Sequence, residues 1–118
     1  MRHLQAGDEP KGWLGGPWSW DLPVSLGYAN RGFDDPHEHT TITEIYLVAR
    51  GTAELRVERE PLTLLPGDVL VVEPGEAHTF VSSSPDYLHF VVHVPGLAGE
   101  EATAEKSTVG RERLGLFD

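Results

Sequence analysis

Four residues have the types and spacing to hold a metal ion: His37, His39, Glu44 and His78. His37 and His39 stand two apart, so on an extended strand they project to one side, with Cα atoms roughly 6.6 Å apart, close enough for two imidazoles to share one ion. Glu44 and His78 complete the donor set. The 118 residues include no cysteine, which removes thiolate ligands and disulfides and leaves nitrogen and oxygen as the donors. Three imidazoles and one carboxylate give a divalent ion one net positive charge, and an octahedral ion keeps two positions open for water, oxygen or substrate. Tetrahedral zinc would use all four ligands and close the site. The expected cofactor is one divalent transition metal: Fe, Mn, Ni, Co or Zn.

The spacing around these residues resembles the two motifs of the cupin superfamily. The first is matched by His37-Glu38-His39, Glu44 and Gly51, with Gly32 one residue closer than the pattern; the second is matched by Gly67, Gly75 and His78, with Pro74 displaced by one and Ser82 at the position of an Asn. The resemblance covers roughly half of the chain and implies an all-β, cupin-type jelly-roll β-barrel of antiparallel strands.

The residues between the motifs support that architecture independently. Short runs rich in β-branched and aromatic residues, punctuated by turn formers, predict strands near 24–30, 36–40, 43–49, 52–58, 62–65, 69–73, 77–82 and 87–94. In Ala53-Glu54-Leu55-Arg56-Val57-Glu58 the charged residues share one face, so Ala53, Leu55 and Val57 point inward. Tyr46 and Val48 accompany Glu44, and Phe80 and Ser82 accompany His78, as lining of a mostly apolar pocket without an inward Lys or Arg. His39 and Glu44 differ in parity, so one straight strand cannot aim both inward, and a hairpin over Thr40–Thr43 is expected to turn the chain.

A single domain over 1–118 is expected, its barrel spanning about 24–95. Residues 1–23, with Trp13, Trp18 and Trp20 around Gly15-Gly16-Pro17, read as an N-terminal arm lying against the barrel or a partner subunit. Residues 96–118 read as a short polar C-terminal tail, loosely held, with a helical turn or two over Glu100–Lys106. The strand Tyr87–Val94 is apolar on both faces and needs two covers; with the Trp arm it predicts a homodimer. His89 and His93 on that strand read as hydrogen-bonded packing residues rather than ligands.

A formal net charge of -10 argues against nucleic-acid and anionic-membrane partners. No apolar run approaches a membrane span, and the first residues lack the apolar core of a signal peptide, so a cytoplasmic location is expected. The resemblance then implies a small metal-dependent enzyme, of dioxygenase or isomerase type, acting on a small, weakly charged metabolite; Tyr46 reads either as its proton donor or as a barrel residue whose hydroxyl reaches the open end. The alternatives are a non-catalytic cupin that binds a small molecule or metal, and a structural zinc barrel.

Overall fold

A computed structural model describes residues 1–117 of the chain. The strands are β1 (Lys11–Gly15), β2 (Ser25–Ala29), β3 (His37–His39), β4 (Thr43–Arg50), β5 (Ala53–Val57), β6 (Glu60–Leu64), β7 (Val69–Val72), β8 (His78–Ser83), β9 (Leu88–Val94) and β10 (Lys106–Thr108). A short helix α1 (Gly99–Glu105) leads into β10, and a 3-10 turn covers Arg111–Leu114. The strands form two five-stranded antiparallel sheets, one in the order β1-β2-β9-β4-β7 and the other β10-β3-β8-β5-β6. Each of the eight runs read as strands is one, within two residues at either end.

The alternation of side chains explains why the two sheets pack. Tyr46, Val48 and Val72 from the first sheet bury themselves against Ala53, Leu55, Leu64 and Phe80 from the second, with Tyr87 closing the cluster. Burying a large apolar side chain contributes about 1.5–3 kcal/mol, so this set supplies much of the force that holds the sheets face to face. Gly51 turns β4 into β5 at a φ of 72°, and a Cβ there would meet the Tyr87 Cα at 2.6 Å; only glycine satisfies both conditions.

Four expectations are corrected. The stretch after His39 is not a hairpin: β3 and β4 belong to different sheets, so residues 40–42 carry the chain across the barrel. That crossing resolves the parity of His39 and Glu44 as a hairpin would have done, because each residue faces the interior from its own sheet. Part of the segment read as an arm is β1, paired along β2 from Lys11↔Ala29 to Trp13↔Gly27. The tail is not loose: β10 pairs with β3, Glu105 is buried, and Leu114 is completely buried. Finally, Ser82 is exposed, because a register shift in the β5–β8 pairing sets it opposite Glu54 on the wet face while Phe80 stays inside opposite Leu55.

Candidate metal centre

The four residues singled out by spacing meet at one end of the barrel. His37 and His39 come from β3 and His78 from β8, with His37 directly opposite His78 in the pairing of those strands. Glu44 reaches them from β4 in the facing sheet. Its Oε1 lies 2.7 Å from His78 Nε2, 2.9 Å from His39 Nε2 and 3.5 Å from His37 Nε2. Ligand atoms held about 2.1 Å from one octahedral ion stand about 3.0 Å from their neighbours, so these separations suit the edges of a coordination shell.

The other nitrogen of each ring fixes its chemistry. His37 Nδ1 lies 2.5 Å from the Asp35 carbonyl, His78 Nδ1 3.1 Å from the Glu76 carbonyl, and His39 Nδ1 against the Glu105 carboxylate. Each acceptor demands an N–H at Nδ1, which leaves the Nε2 lone pair directed at Glu44. Lone pairs and a carboxylate oxygen facing one another are all acceptors. A proton or a cation must sit among them, and the donor set of nitrogen and oxygen fits a divalent transition metal.

Protonation in the metal-free cluster follows the same logic. Burial pushes the Glu44 carboxyl up, but bonds from His37, His39, His78 and His93 overcome it and hold the group well below the ordinary range. Burial pulls the His39 imidazole down, and its bonds to Glu44 and Glu105 reverse that and raise it. Protons and metal therefore compete for the same atoms.

Two further residues hold the second oxygen of Glu44. Tyr46 donates its hydroxyl to Oε2 at 2.9 Å, and His93 Nε2 lies 3.0 Å from the same atom. Burial, reinforced by Glu44, keeps the Tyr46 phenol well above its ordinary value, so it is a proton holder and not a base. His93 differs from the other three histidines in having no acceptor at Nδ1 among the described residues. Its proton is free to lie on Nε2 and bond to Glu44, which orients the carboxylate. The geometry also allows a triad of His39, Glu44 and His93 around an ion. Sequence reading placed His93 in packing; only its pairing opposite Glu44 brings it into the site.

Glu105 was missed altogether. It comes from the end of α1, and besides His39 its carboxylate accepts the Ile42 N–H at 3.3 Å and the Thr41 N–H at 3.4 Å, while its carbonyl accepts the Thr40 N–H at 2.9 Å. It thus pins both the candidate ligand His39 and the crossing that follows. Glu105→Ala is expected to weaken metal binding ~10- to 100-fold, as loss of such an outer partner typically does, with Glu105→Gln recovering part of it. Competition against a chelator at neutral pH measures both.

Above the centre is a cavity of about 760 Å³, lined at its inner end by His37, His39, Glu44, Tyr46 and His93 and at its mouth by Lys11, Trp13, Trp18, Phe33 and Lys106. The Trp13 ring stands edge-on to His93 with centroids 4.8 Å apart. Of the three tryptophans, Trp13 and Trp18 therefore wall the cavity, while Trp20 donates to the Val24 carbonyl at 2.8 Å.

Two facing antiparallel sheets with a His/Glu cluster at one end define a cupin-type, double-stranded β-helix protein. Residues 22–114 match the AraC-like ligand-binding domain, and the chain belongs to that family. Solved structures of the same fold include a Streptomyces nucleoside dehydratase, Pac13, bound to uridine (13% identity, 91% of this chain and 85% of that chain, TM-score 0.69). KdgF from a Halomonas species is also similar (24%, 81% and 90%, TM-score 0.62). So is a double-stranded β-helix protein from Klebsiella pneumoniae (20%, 91% and 90%, TM-score 0.62). At these identities the likeness establishes the fold. No curated protein matches the chain. Among the described residues no helix is long and apolar enough to cross a membrane.

Proposed function

We propose that the protein is a small metal-dependent cupin enzyme, of dioxygenase or isomerase type, acting on a small, weakly charged metabolite. The observation that carries this reading is the convergence of His37, His39 and His78 Nε2 on Glu44 Oε1, at the inner end of an open cavity. A divalent ion held by these four residues would supply Lewis-acid polarisation of a substrate oxygen, and an iron ion would also supply dioxygen chemistry. The chain's own residues do the rest. Glu105, Asp35 and Glu76 orient the imidazoles, and His93 steadies Glu44. Tyr46 donates a hydrogen bond to Glu44 Oε2 at 2.9 Å, and as proton donor to substrate it would act only on an oxygen that becomes strongly basic during the reaction, since its phenol is held above the ordinary value.

Neighbouring folds that turn over small molecules, such as the nucleoside dehydratase, support an enzymatic use of the cavity. The test is elemental analysis of protein purified without added metal, followed by turnover of catechols, thiols, diketones and neutral sugars with each first-row metal. Binding of such molecules without conversion by any metal form would replace this reading with that of a ligand-binding cupin.

The protein is further proposed to be a homodimer. Leu47, Val69 and Val71 are 38%, 58% and 49% exposed on the outer face of the first sheet, continuous with the partly covered Ile45, Phe90 and Val92. A contiguous apolar face on the outer side of a sheet is a surface that a second subunit would cover. Sedimentation at micromolar concentration is expected to give twice the 13.0 kDa chain mass, and a purely monomeric species would overturn the dimer.

A further inference from the structure

The cavity has a second polar end, away from the metal centre. Along the inner face of the first sheet, Glu44 is paired with His93, Tyr46 with Val91, and Val48 with His89; β2 and β1 extend the last row through Ala29 to Lys11. Val48 is four residues from Glu44 on β4, about 13 Å along the strand. His89 and Lys11 both line the cavity, and the residue paired with each of them on the strand between is the small Ala29.

His89 is 4% exposed, and its only bond within the described residues joins Nδ1 to the Tyr87 hydroxyl at 2.8 Å. The buried Tyr87 phenol keeps its proton and has no other acceptor among the described residues, so it donates to Nδ1 and places the imidazole proton on Nε2. That N–H has no partner among the described residues. Lys11 Nζ sits 4.7 Å from the Phe33 ring centre with no carboxylate in ion-pair range among the described residues, because Asp35 at the mouth is taken by Lys106 at 2.7 Å. The charged side chains lining the cavity are Lys11, Lys106, Asp35, Glu44 and Glu105. Their balance is negative by one; a divalent ion makes it positive by one.

We infer that the ligand of this cavity is two-ended: an oxygen function meets the metal, and a carboxylate at the other end is held by Lys11 Nζ and His89 Nε2–H. One ammonium and one neutral N–H suit the two oxygens of a carboxylate. A phosphate dianion would exceed the single positive charge available. The inference rests on the metal reading proposed above.

The test uses protein loaded with Co(II), and as probes hydroxamates whose chelating end binds the ion while a chain of about two to six methylenes, spanning the ~13 Å between the rows less the reach of the side chains, ends in either a carboxylate or its primary amide. Calorimetry is expected to show the carboxylate binding roughly tenfold or more tightly than the amide at one chain length. Lys11→Met, an exposed change that leaves the core intact, removes that preference and leaves acetohydroxamate binding as it was; His89→Phe also weakens the best carboxylate and spares acetohydroxamate. Equal binding of carboxylate and amide at every length, or an equal loss for acetohydroxamate in Lys11→Met, overturns the inference. Acetohydroxamate that fails to bind the Co(II) protein, or binds equally after the metal is stripped, overturns the metal reading itself and the inference with it.

Discussion

Replacing His78 by Ala is expected to strip the metal from the protein while leaving the two sheets assembled. His78 is 1% exposed, its Nε2 is 2.7 Å from Glu44 Oε1, and its Nδ1 is fixed by the Glu76 carbonyl. No other residue can take its place from β8, because Thr79 points away and Phe80 is apolar. Loss of one of four ligands from a rigid shell should cost on the order of a thousandfold in affinity, or about 4 kcal/mol, and dialysis against a chelator would then empty the site. The check is elemental analysis of wild-type and His78→Ala protein side by side, with circular dichroism to show retained strand structure. Stoichiometric metal in the variant would refute the ligand assignment. Glu44→Gln makes the complementary test, since it keeps the volume but removes the charge around which four imidazoles gather.

The second large effect is a loss of stability in acid that belongs to His89 and not to the metal. Burial pulls this imidazole down to about 4, against an ordinary value near 6.5, so the folded protein keeps it neutral while the unfolded chain protonates it. Its contribution is therefore fully present above pH ~6.5 and is lost as pH falls toward ~4, amounting to about 3 kcal/mol over that window. The shifts at the metal site act elsewhere. The raised His39 in metal-free protein favours the folded state at the acid side of its transition, and the depressed Glu44 withdraws stability only as pH falls below the ordinary carboxylate range. Urea unfolding of metal-free wild type and His89→Phe at several pH values separates these terms: the variant should lack the His89 slope between pH ~6.5 and ~4 and keep the others. Parallel slopes would show that His89 is not held neutral.

The sequence carried the strands and the grouping of His37, His39, Glu44 and His78 because both are written in short-range pattern: alternation of apolar residues, Gly and Pro between runs, and two histidines two apart followed by Glu44. It did not carry β1, since Lys11–Gly15 contains two glycines and runs into Gly16-Pro17, and its strand form comes from pairing with β2 rather than from local preference. Three polar residues make β10, too few for any periodicity to appear. Parity required a change of face between His39 and Glu44, but a hairpin and a crossing satisfy parity equally, and only the sheet order distinguishes them. Ser82 was misplaced by the register shift at Glu54/Leu55, which strict alternation cannot foresee. Glu105 and His93 join the site through partners 66 and 49 residues away, and a separation of that length leaves no trace in local pattern.

The division of the candidate ligands between the two sheets has a mechanical meaning. His37, His39 and His78 stand on one sheet and Glu44 on the other, so an ion held by all four would be a rivet through the end of the barrel, and prising the sheets apart there would require breaking coordination bonds. Binding and closure of that end become a single equilibrium: at free metal a hundredfold above the dissociation constant, the closed form gains about 2.7 kcal/mol over any form in which the sheets have parted. The opposite end, held by Tyr87, Leu55 and their apolar neighbours, would receive none of this directly, so metal supply would set which end of the barrel breathes first.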